Sequence, residues 1–257
     1  MRYEVLGRLR MVGEQETWHL GAPKPETLLG LLLLKVDEVV STSQIIDELW
    51  GAKPPASVVA SVQSYISQLR RHFRGHGDPT GPIITQPSGY LLRLGSDELD
   101  SRIFLQRVAK GRVLVKQRRL GEASDSLSGA LALWRGQVLG GVTGGPILTG
   151  IISWLMEIRI ECAEMLVDVE LEEGRHREAL DRLYPLIAEN PLREVFYRQL
   201  MLALYRSGCR AEALKVYHAA RRRLREELGL EPGRELRSLQ QHILNADPRL
   251  ELAETAV

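Results

Sequence analysis

Two segments in the second half of the chain match in register 34 residues apart. Residues 174–180 are GRHREAL and residues 208–214 are GCRAEAL, and a weaker echo begins at Gly121. Short helices in any α-helical domain share alanine and leucine, but a match in register favours a true repeat. A period of this length is typical of stacked helix pairs, in which the glycine ends one helix and the alanine packs where two helices approach closely. The sequence therefore predicts an array of helix pairs, and such arrays bind partners on a concave face.

A second constraining feature is the stretch from residue 55 to residue 73, PASVVASVQSYISQLRRHF. Its apolar residues recur at alternating spacings of three and four, which predicts one buried stripe along a helix. The expected stripe consists of Val59, Val62, Ile66, Leu69 and Phe73. The expected opposite face consists of Ser57, Ala60, Ser61, Ser64, Gln68 and Arg71.

The outer face of this predicted helix can approach a polyanion closely, because no Asp or Glu occurs between residues 57 and 74. Small polar side chains and a terminal cation suit the major groove of DNA. An amphipathic helix with a polar face more often simply faces water, so the neighbouring elements must decide.

The elements around this helix form a helix-turn-helix pattern followed by a hairpin. A helix capped by Ser41 or Thr42 ends at Gly51, and a short proline-containing turn leads into residues 55–73. After a polar loop, the segment IITQPSGYLLRL predicts two short strands around a turn, which would form the wing. Earlier elements are expected as strands in residues 2–12 and 16–19, a helix from Pro23 to Leu34, and a short strand at Val39 and Val40.

Candidate DNA-binding residues follow from these positions. Ser61, Ser64 and Gln68 are expected at base edges, because glutamine can pair with adenine through two hydrogen bonds and serine can pair with several bases. Ser57 and Arg71 are expected at phosphates, and at the wing tip Gln86 and Ser88 are expected at the minor groove or a phosphate. Arg70 either binds DNA or pairs with an acid. A basic cluster at the end of the helix contains Arg70, Arg71, His72, Arg74 and His76.

Several classes of site find no support in the sequence. Cys162 and Cys209 belong to no metal-binding spacing, and we expect both to be buried, reduced thiols. The glycine-rich segment, residues 134–150, contains no phosphate-binding motif and is expected to be a loop between helices. We therefore expect no cofactor, no metal and no enzymatic activity. The chain has neither a signal peptide nor an apolar run long enough for a bilayer, which favours a cytoplasmic, nucleoid-associated protein.

The first 95 residues carry a dense set of matches to a known domain. The matching residues are Glu48, Leu49, Trp50, Val62, Ile66, Leu69, Arg70, Ile84, Gly89, Tyr90 and Leu92. With them the block resembles the winged-helix DNA-binding domain of OmpR/PhoB-type response regulators. The chain departs from that class because the block is N-terminal, no receiver domain accompanies it, and its recognition helix has fewer arginines.

Residues 97–245 resemble the bacterial transcriptional activator domain. The stretches that carry this likeness are ALALWRG from residue 130, PLRE from residue 191, QLMLALYRSG from residue 199 and ELGLEPG from residue 227. A winged helix followed by this domain is the layout of the Streptomyces antibiotic regulatory protein family. In place of that family's acidic, tryptophan-containing loop, the chain has the glycine-rich run from Gly140 to Gly150.

This resemblance implies a transcriptional activator of a secondary-metabolite (antibiotic) gene cluster. Family members bind direct repeats at promoters, which implies a head-to-tail homodimer on double-stranded DNA, and they engage RNA polymerase and its sigma factor. The expected fold is mostly α with a small α+β part: a winged helix-turn-helix in residues 1–95, an all-α tetratricopeptide-like repeat domain in residues 97–245, and a flexible tail in residues 246–257. The alternative is a protein-interaction adaptor that uses the helical repeats, which the net charge of only +1 leaves open.

Overall fold

The computed structural model describes residues 1–13, 16–75, 81–142 and 144–251. The chain forms two compact units. The first contains residues 1–109 and 129–159, and the second contains residues 110–128 and everything from residue 160 onward. Each unit is therefore built from two separate stretches of the chain. The His76 predicted in the basic cluster, and residues 252–257 of the expected tail, lie outside the described residues.

Short strands and ten helices make up the described fold. The strands are β1 (Arg2–Glu4), β2 (Arg10–Val12), β3 (Thr17–Trp18), β4 (Val40–Ser41), β5 (Ile83–Gln86), β6 (Gly89–Leu92) and β7 (Glu98–Leu99). The helices are α1 (Pro23–Leu34), α2 (Thr42–Trp50), α3 (Val58–Gly75), α4 (Asp100–Lys116), α5 (Leu120–Leu131), α6 (Pro146–Glu172), α7 (His176–Glu189), α8 (Glu194–Arg206), α9 (Arg210–Leu228) and α10 (Arg234–Leu244). The order matches the predicted winged helix followed by helical repeats.

Two small sheets frame the three helices of the winged helix. The first has the strand order β3-β2-β1-β7, with β7 parallel to β1 and the other pairs antiparallel. The second has the order β4-β6-β5 and contains the predicted hairpin. Helix α1 packs against α2, α3 and β6, and its leucines at positions 28, 29, 31, 32 and 33 are fully buried. A continuous apolar run on a helix must be enclosed by protein on all sides, so the leucine-rich part of α1 belongs to the core of the winged helix.

The wing is fixed by a glycine at its turn. Gly89 pairs with Ser41 of β4, and a Cβ atom at this position would lie 2.0 Å from the carbonyl oxygen of Val40. Only a residue without a side chain allows the two backbones to approach so closely. The carbonyl of Ser88 also accepts a hydrogen bond from the Thr42 amide at 3.0 Å, so the hairpin is held against the start of α2.

The glycine-rich segment is more structured than the sequence suggests. Residues 138–141 form a short 3-10 turn, and α6 already begins at Pro146, so the prediction of a loop up to Gly150 is wrong at its end. Proline is favoured in the first turn of a helix, where its missing N–H costs nothing. Before α6, the backbone amides of Arg135, Leu139 and Gly140 donate to the carbonyls of residues 5–7. This segment therefore joins the winged helix as part of the first compact unit.

The repeat in the second unit is confirmed in detail. Gly174 and Gly208 have φ angles of 75° and 79°, which lie in the left-handed region that favours glycine. In each case the amide of the next residue donates to a carbonyl five residues earlier, as in a Schellman helix end. Ala179 and Ala213 are both fully buried. In both copies the glycine therefore ends one helix and the alanine packs the next helix into the core.

Several local predictions are wrong. The strand predicted over residues 2–12 is two antiparallel strands, β1 and β2, joined by a turn. The helix predicted from residue 55 begins at Val58, and Val59 is 51% exposed because the first turn of α3 extends beyond the core. Cys209 is exposed, since it precedes α9 at a surface turn; Cys162 is buried as expected, and burial raises the pKa of its thiol to about 12. Within the expected tail, residues 248–250 form a 3-10 turn, and the Leu250 carbonyl accepts from Arg206 Nε at 2.8 Å.

Candidate nucleic-acid interface

Helix α3 presents one buried stripe and one open face. Val62, Ile66, Leu69 and Phe73 are at most 1% exposed, as predicted. The Phe73 ring meets that of Tyr3 from β1 edge to face, with centroids 6.3 Å apart. Burying four large side chains along one stripe fixes the rotation of the helix, so the opposite face must point outward.

The open face carries most of the predicted base-reading and phosphate-binding side chains. Ser57, Ser64, Gln68, Arg71 and Arg74 are all exposed. At 100° per residue, Ser64, Gln68 and Arg71 lie opposite the buried stripe. The structure thus brings these predicted residues together on one surface.

Ser61 differs from the other predicted base contacts. It is only partly exposed, and its hydroxyl donates to the Ser57 carbonyl one turn earlier at 3.2 Å. Serine hydroxyls in helices often bond back to the preceding turn in this way. Ser61 therefore lies at the edge of the open face, and its proton is already engaged.

Two further polar residues of α3 lie beside the predicted DNA contacts. Gln63 and Ser67 are exposed on α3. Ser67 follows Ser64 by one helical turn, and Gln63 precedes it on the flank nearer the wing-facing Arg70. The sequence already indicates that both side chains are exposed, because neither position belongs to the apolar stripe.

Arg70 connects α3 to the wing. Its Nε and Nη2 atoms donate to the Ile83 carbonyl at 3.2 and 3.1 Å, and Nη2 also donates to Thr85 Oγ1 at 2.7 Å. Among the described residues its acceptors are a carbonyl and a hydroxyl of β5 and not a carboxylate, so the alternative that Arg70 pairs with an acid is not borne out there. The guanidinium instead sets the position of the first wing strand relative to the helix.

The wing residues predicted to contact DNA lie at the hairpin turn. Gln86 closes β5 opposite Gly89, and Ser88 is exposed in the turn that follows. Thr42 holds the Ser88 carbonyl through its backbone amide, as described above, so the Ser88 hydroxyl remains at the surface. The tip is thereby presented on a rigid hairpin.

The helix-turn-helix angle is held by a cap and an aromatic stack. Ser41 and Gln44 form a reciprocal capping box at the start of α2, which confirms the predicted cap. At the other end of α2, the Trp50 ring stacks on that of Tyr65 in α3 with centroids 6.0 Å apart, and Lys24 Nζ lies 4.9 Å above the Trp50 centroid. These contacts fix α3 against α2, and the connecting residues 51–57 are all exposed.

The candidate interface carries a small net positive charge. The sequence contains no acid from residue 52 to residue 77. Arg71 and Arg74 supply charge at the C-terminal end of α3, where cations also complement the helix dipole. Affinity from phosphate neutralisation needs such a local patch rather than a basic chain.

The described ranges contain neither a metal-binding cluster nor a helix able to span a membrane. No group of three metal-ligating side chains is placed to hold an ion there. Every helix in those ranges is also too short or too polar to cross a bilayer.

The two halves of the chain match two family models. Residues 18–92 match "Transcriptional regulatory protein, C terminal", and residues 99–244 match "Bacterial transcriptional activator domain". The first match covers the helices and wing just described, and the second covers the repeats.

Relatives match over almost the whole chain. The regulatory protein AfsR of Streptomyces coelicolor is 40% identical over 251 residues, which cover 97% of this chain and 25% of AfsR. The chain thus spans only a quarter of that relative. The regulatory protein DnrI of Streptomyces peucetius is 34% identical over 256 residues, which cover 95% of this chain and 94% of DnrI.

A solved structure also matches most of this chain. The structure of Mycobacterium tuberculosis EmbR in complex with a low-affinity phosphopeptide superposes with a TM-score of 0.90 at 30% identity, over 96% of this chain and 65% of that one. The matched domains, their order and the relatives agree with the layout predicted from the sequence. The chain belongs to the Streptomyces antibiotic regulatory protein family of transcriptional regulators, which are not enzymes.

Proposed function

We propose that the protein is a sequence-specific DNA-binding activator of a secondary-metabolite gene cluster. The observation that carries this proposal is the acid-free open face of α3, held rigid by the buried stripe, the Trp50–Tyr65 stack and Arg70. A helix of this chemistry fits the major groove, and the wing beside it reaches the adjoining backbone or minor groove. The names of the relatives AfsR and DnrI, both regulatory proteins, support the same role.

The exposed residues divide into those that contact base edges and those that bind the DNA backbone. Ser64 and Gln68 contact base edges in this proposal, with Ser61 beside them at the flank. Ser57, Arg71 and Arg74 bind phosphates at the two ends of α3, and Gln86 and Ser88 bind the backbone or the minor groove from the wing. Arg70 acts through the wing rather than on the DNA directly.

Binding to direct repeats would place two protomers head to tail. Their half-sites would lie about 10 to 11 base pairs apart, or a multiple of this, so that both α3 helices approach the same side of the duplex. Modest charge on each recognition helix favours such pairing, because one protomer neutralises few phosphates.

The division of labour follows the two matched regions. Residues 1–95 bind DNA, and residues 97–245 support dimerisation and contact RNA polymerase and its sigma factor. The protein would act in the cytoplasm, associated with the nucleoid.

The proposal is tested by nuclease footprinting of the full chain on promoters of the host's biosynthetic clusters. We expect protection of a short sequence repeated at helical spacing, with affinity falling steeply as salt increases. Absence of protection on every such promoter would contradict DNA binding and favour the adaptor role. A footprint without an increase in transcription by purified polymerase would contradict activation alone.

A further inference from the structure

A groove of about 780 Å³ lies in the second unit between α8 and α10. Arg198, Leu202 and Arg206 contribute one face of α8, since they follow each other at intervals of four residues. Arg234, Ser238 and His242 contribute one face of α10 in the same way. The turn at residues 248–250 closes one end.

The lining is strongly biased in charge. Four arginines and a histidine face the groove, while Glu235 is the one acid among the residues that line it. The whole chain is nearly neutral, so this bias is a local property of the groove. A concave, positively charged surface raises the local concentration of anionic ligands.

The cations at the centre of the groove are poorly neutralised. Arg206 donates to the carbonyls of Leu171 and Leu250 at 3.0 and 2.8 Å, and burial lowers the pKa of its guanidinium. Arg198 forms only long ion pairs, with its Nη2 atom 3.6 Å from Asp168 and its Nε atom 3.9 Å from Glu235. In the part of the chain that is described, no carboxylate lies within 4 Å of Arg234.

The outer cation is already neutralised. Arg249 forms a tight pair with Asp247, with Nη2 and Oδ2 2.6 Å apart, and the pKa of Asp247 is lowered to about 2 mainly by this hydrogen bond. An anionic ligand would therefore gain most from pairing with Arg198, Arg206 and Arg234.

Three leucines line the groove together with the charged residues: Leu202, Leu239 and Leu250. A phosphate backbone has no apolar group to place on these leucines, whereas a peptide can pair carboxylates with the arginines and place an apolar side chain on the leucines. Arrays of helix pairs present extended concave surfaces that suit such a ligand.

We propose that the groove between α8 and α10 binds an acidic segment of a partner protein that also carries at least one leucine-like side chain. Carboxylates of the segment pair with Arg198 and Arg234, and Arg206 holds the centre. This site is independent of the DNA-binding function proposed above.

The test uses the full chain and a fluorescein-labelled peptide of glutamates interspersed with leucines. Binding is followed by fluorescence anisotropy for the native chain and for a chain that carries both Arg198→Glu and Arg234→Glu. The matched control carries Lys215→Glu and Arg222→Glu, which make the same charge change on exposed positions of α9 outside the groove. Far-ultraviolet circular dichroism during heating checks that all three are folded.

We expect the groove variant to bind the peptide at least tenfold more weakly and the control variant to bind within a factor of about two of the native chain. A chain with Arg234→Ala, which only removes one exposed cation, should lose part of the affinity. Equal losses in groove and control variants, no binding to the native chain, or full competition by duplex DNA of unrelated sequence would each overturn the proposal. Replacing the glutamates of the peptide by glutamine should abolish binding.

Discussion

The carboxylate of Glu48 at the end of α2 lies 2.5 Å from the backbone nitrogen of Ile147 in the first turn of α6. Its second oxygen accepts from the Leu148 amide at 3.2 Å, and the side chain is almost fully buried. A helix leaves its first amides without partners, and a carboxylate at that end satisfies them and complements the helix dipole. Glu48 therefore caps a helix that begins about a hundred residues later in the chain.

Replacing Glu48 by alanine should destabilise the protein. Loss of a buried cap leaves two amides unsatisfied, and we expect the free energy of unfolding to fall by about 1–3 kcal/mol. Urea denaturation followed by circular dichroism measures this loss. Glu38→Ala removes an exposed acid and is the control, with an expected effect within about 0.5 kcal/mol. Equal stability of the Glu48 variant and the native chain would contradict the capping role.

Arg70→Ala should loosen the wing without removing a phosphate contact. The Ile83 carbonyl and Thr85 hydroxyl lose their donor, so we expect weaker binding to every DNA sequence but an unchanged slope of affinity against salt. Electrophoretic mobility shifts at several salt concentrations measure both quantities. A shallower slope would instead assign Arg70 to a phosphate.

Arg71→Ala should show the opposite pattern. Arg71 is exposed at the end of α3, and loss of one phosphate contact lowers the slope of log affinity against log salt by about 1. The order of preferred sequences should not change. A changed preference would show that Arg71 reads a base.

The two cysteines should differ in reactivity toward a thiol reagent. Cys209 is exposed, whereas burial raises the pKa of the Cys162 thiol to about 12 and keeps it protonated at neutral pH. We expect the native protein to release one equivalent of chromophore from Ellman's reagent quickly and the unfolded protein to release two. Fast reaction of a Cys209→Ser variant would contradict the burial of Cys162.

Local periodicity predicted the winged-helix elements and the repeat well. The stripe of α3 was found because its spacing is set within one helix, and Gly174 and Gly208 were found because each governs a neighbouring turn. The prediction that Val59 is buried is wrong, because the sequence does not show where along a helix the core ends.

Contacts between distant segments could not be predicted. Nothing near Glu48 in the sequence identifies Ile147 as its partner. For Arg70 the sequence leaves two roles open, DNA binding or pairing with an acid, because it does not show that β5 lies beside α3. The same holds for the glycine-rich segment, whose backbone pairs with residues 5–7. Such contacts depend on the assembled fold, whereas periodicity reports only which face of an element is buried.

The open face of α3 selects bases in the proposed function, and Gln68→Ala tests this role most directly. Binding of the full-length variant and native chains is measured on the footprinted site, on the same site with each base pair replaced in turn, and on unrelated DNA. We predict that the variant loses about 1–3 kcal/mol on the native site, loses its preference at one base position, and binds unrelated DNA as the native chain does. An equal loss of affinity on all sequences, with every base preference intact, would contradict base reading by Gln68.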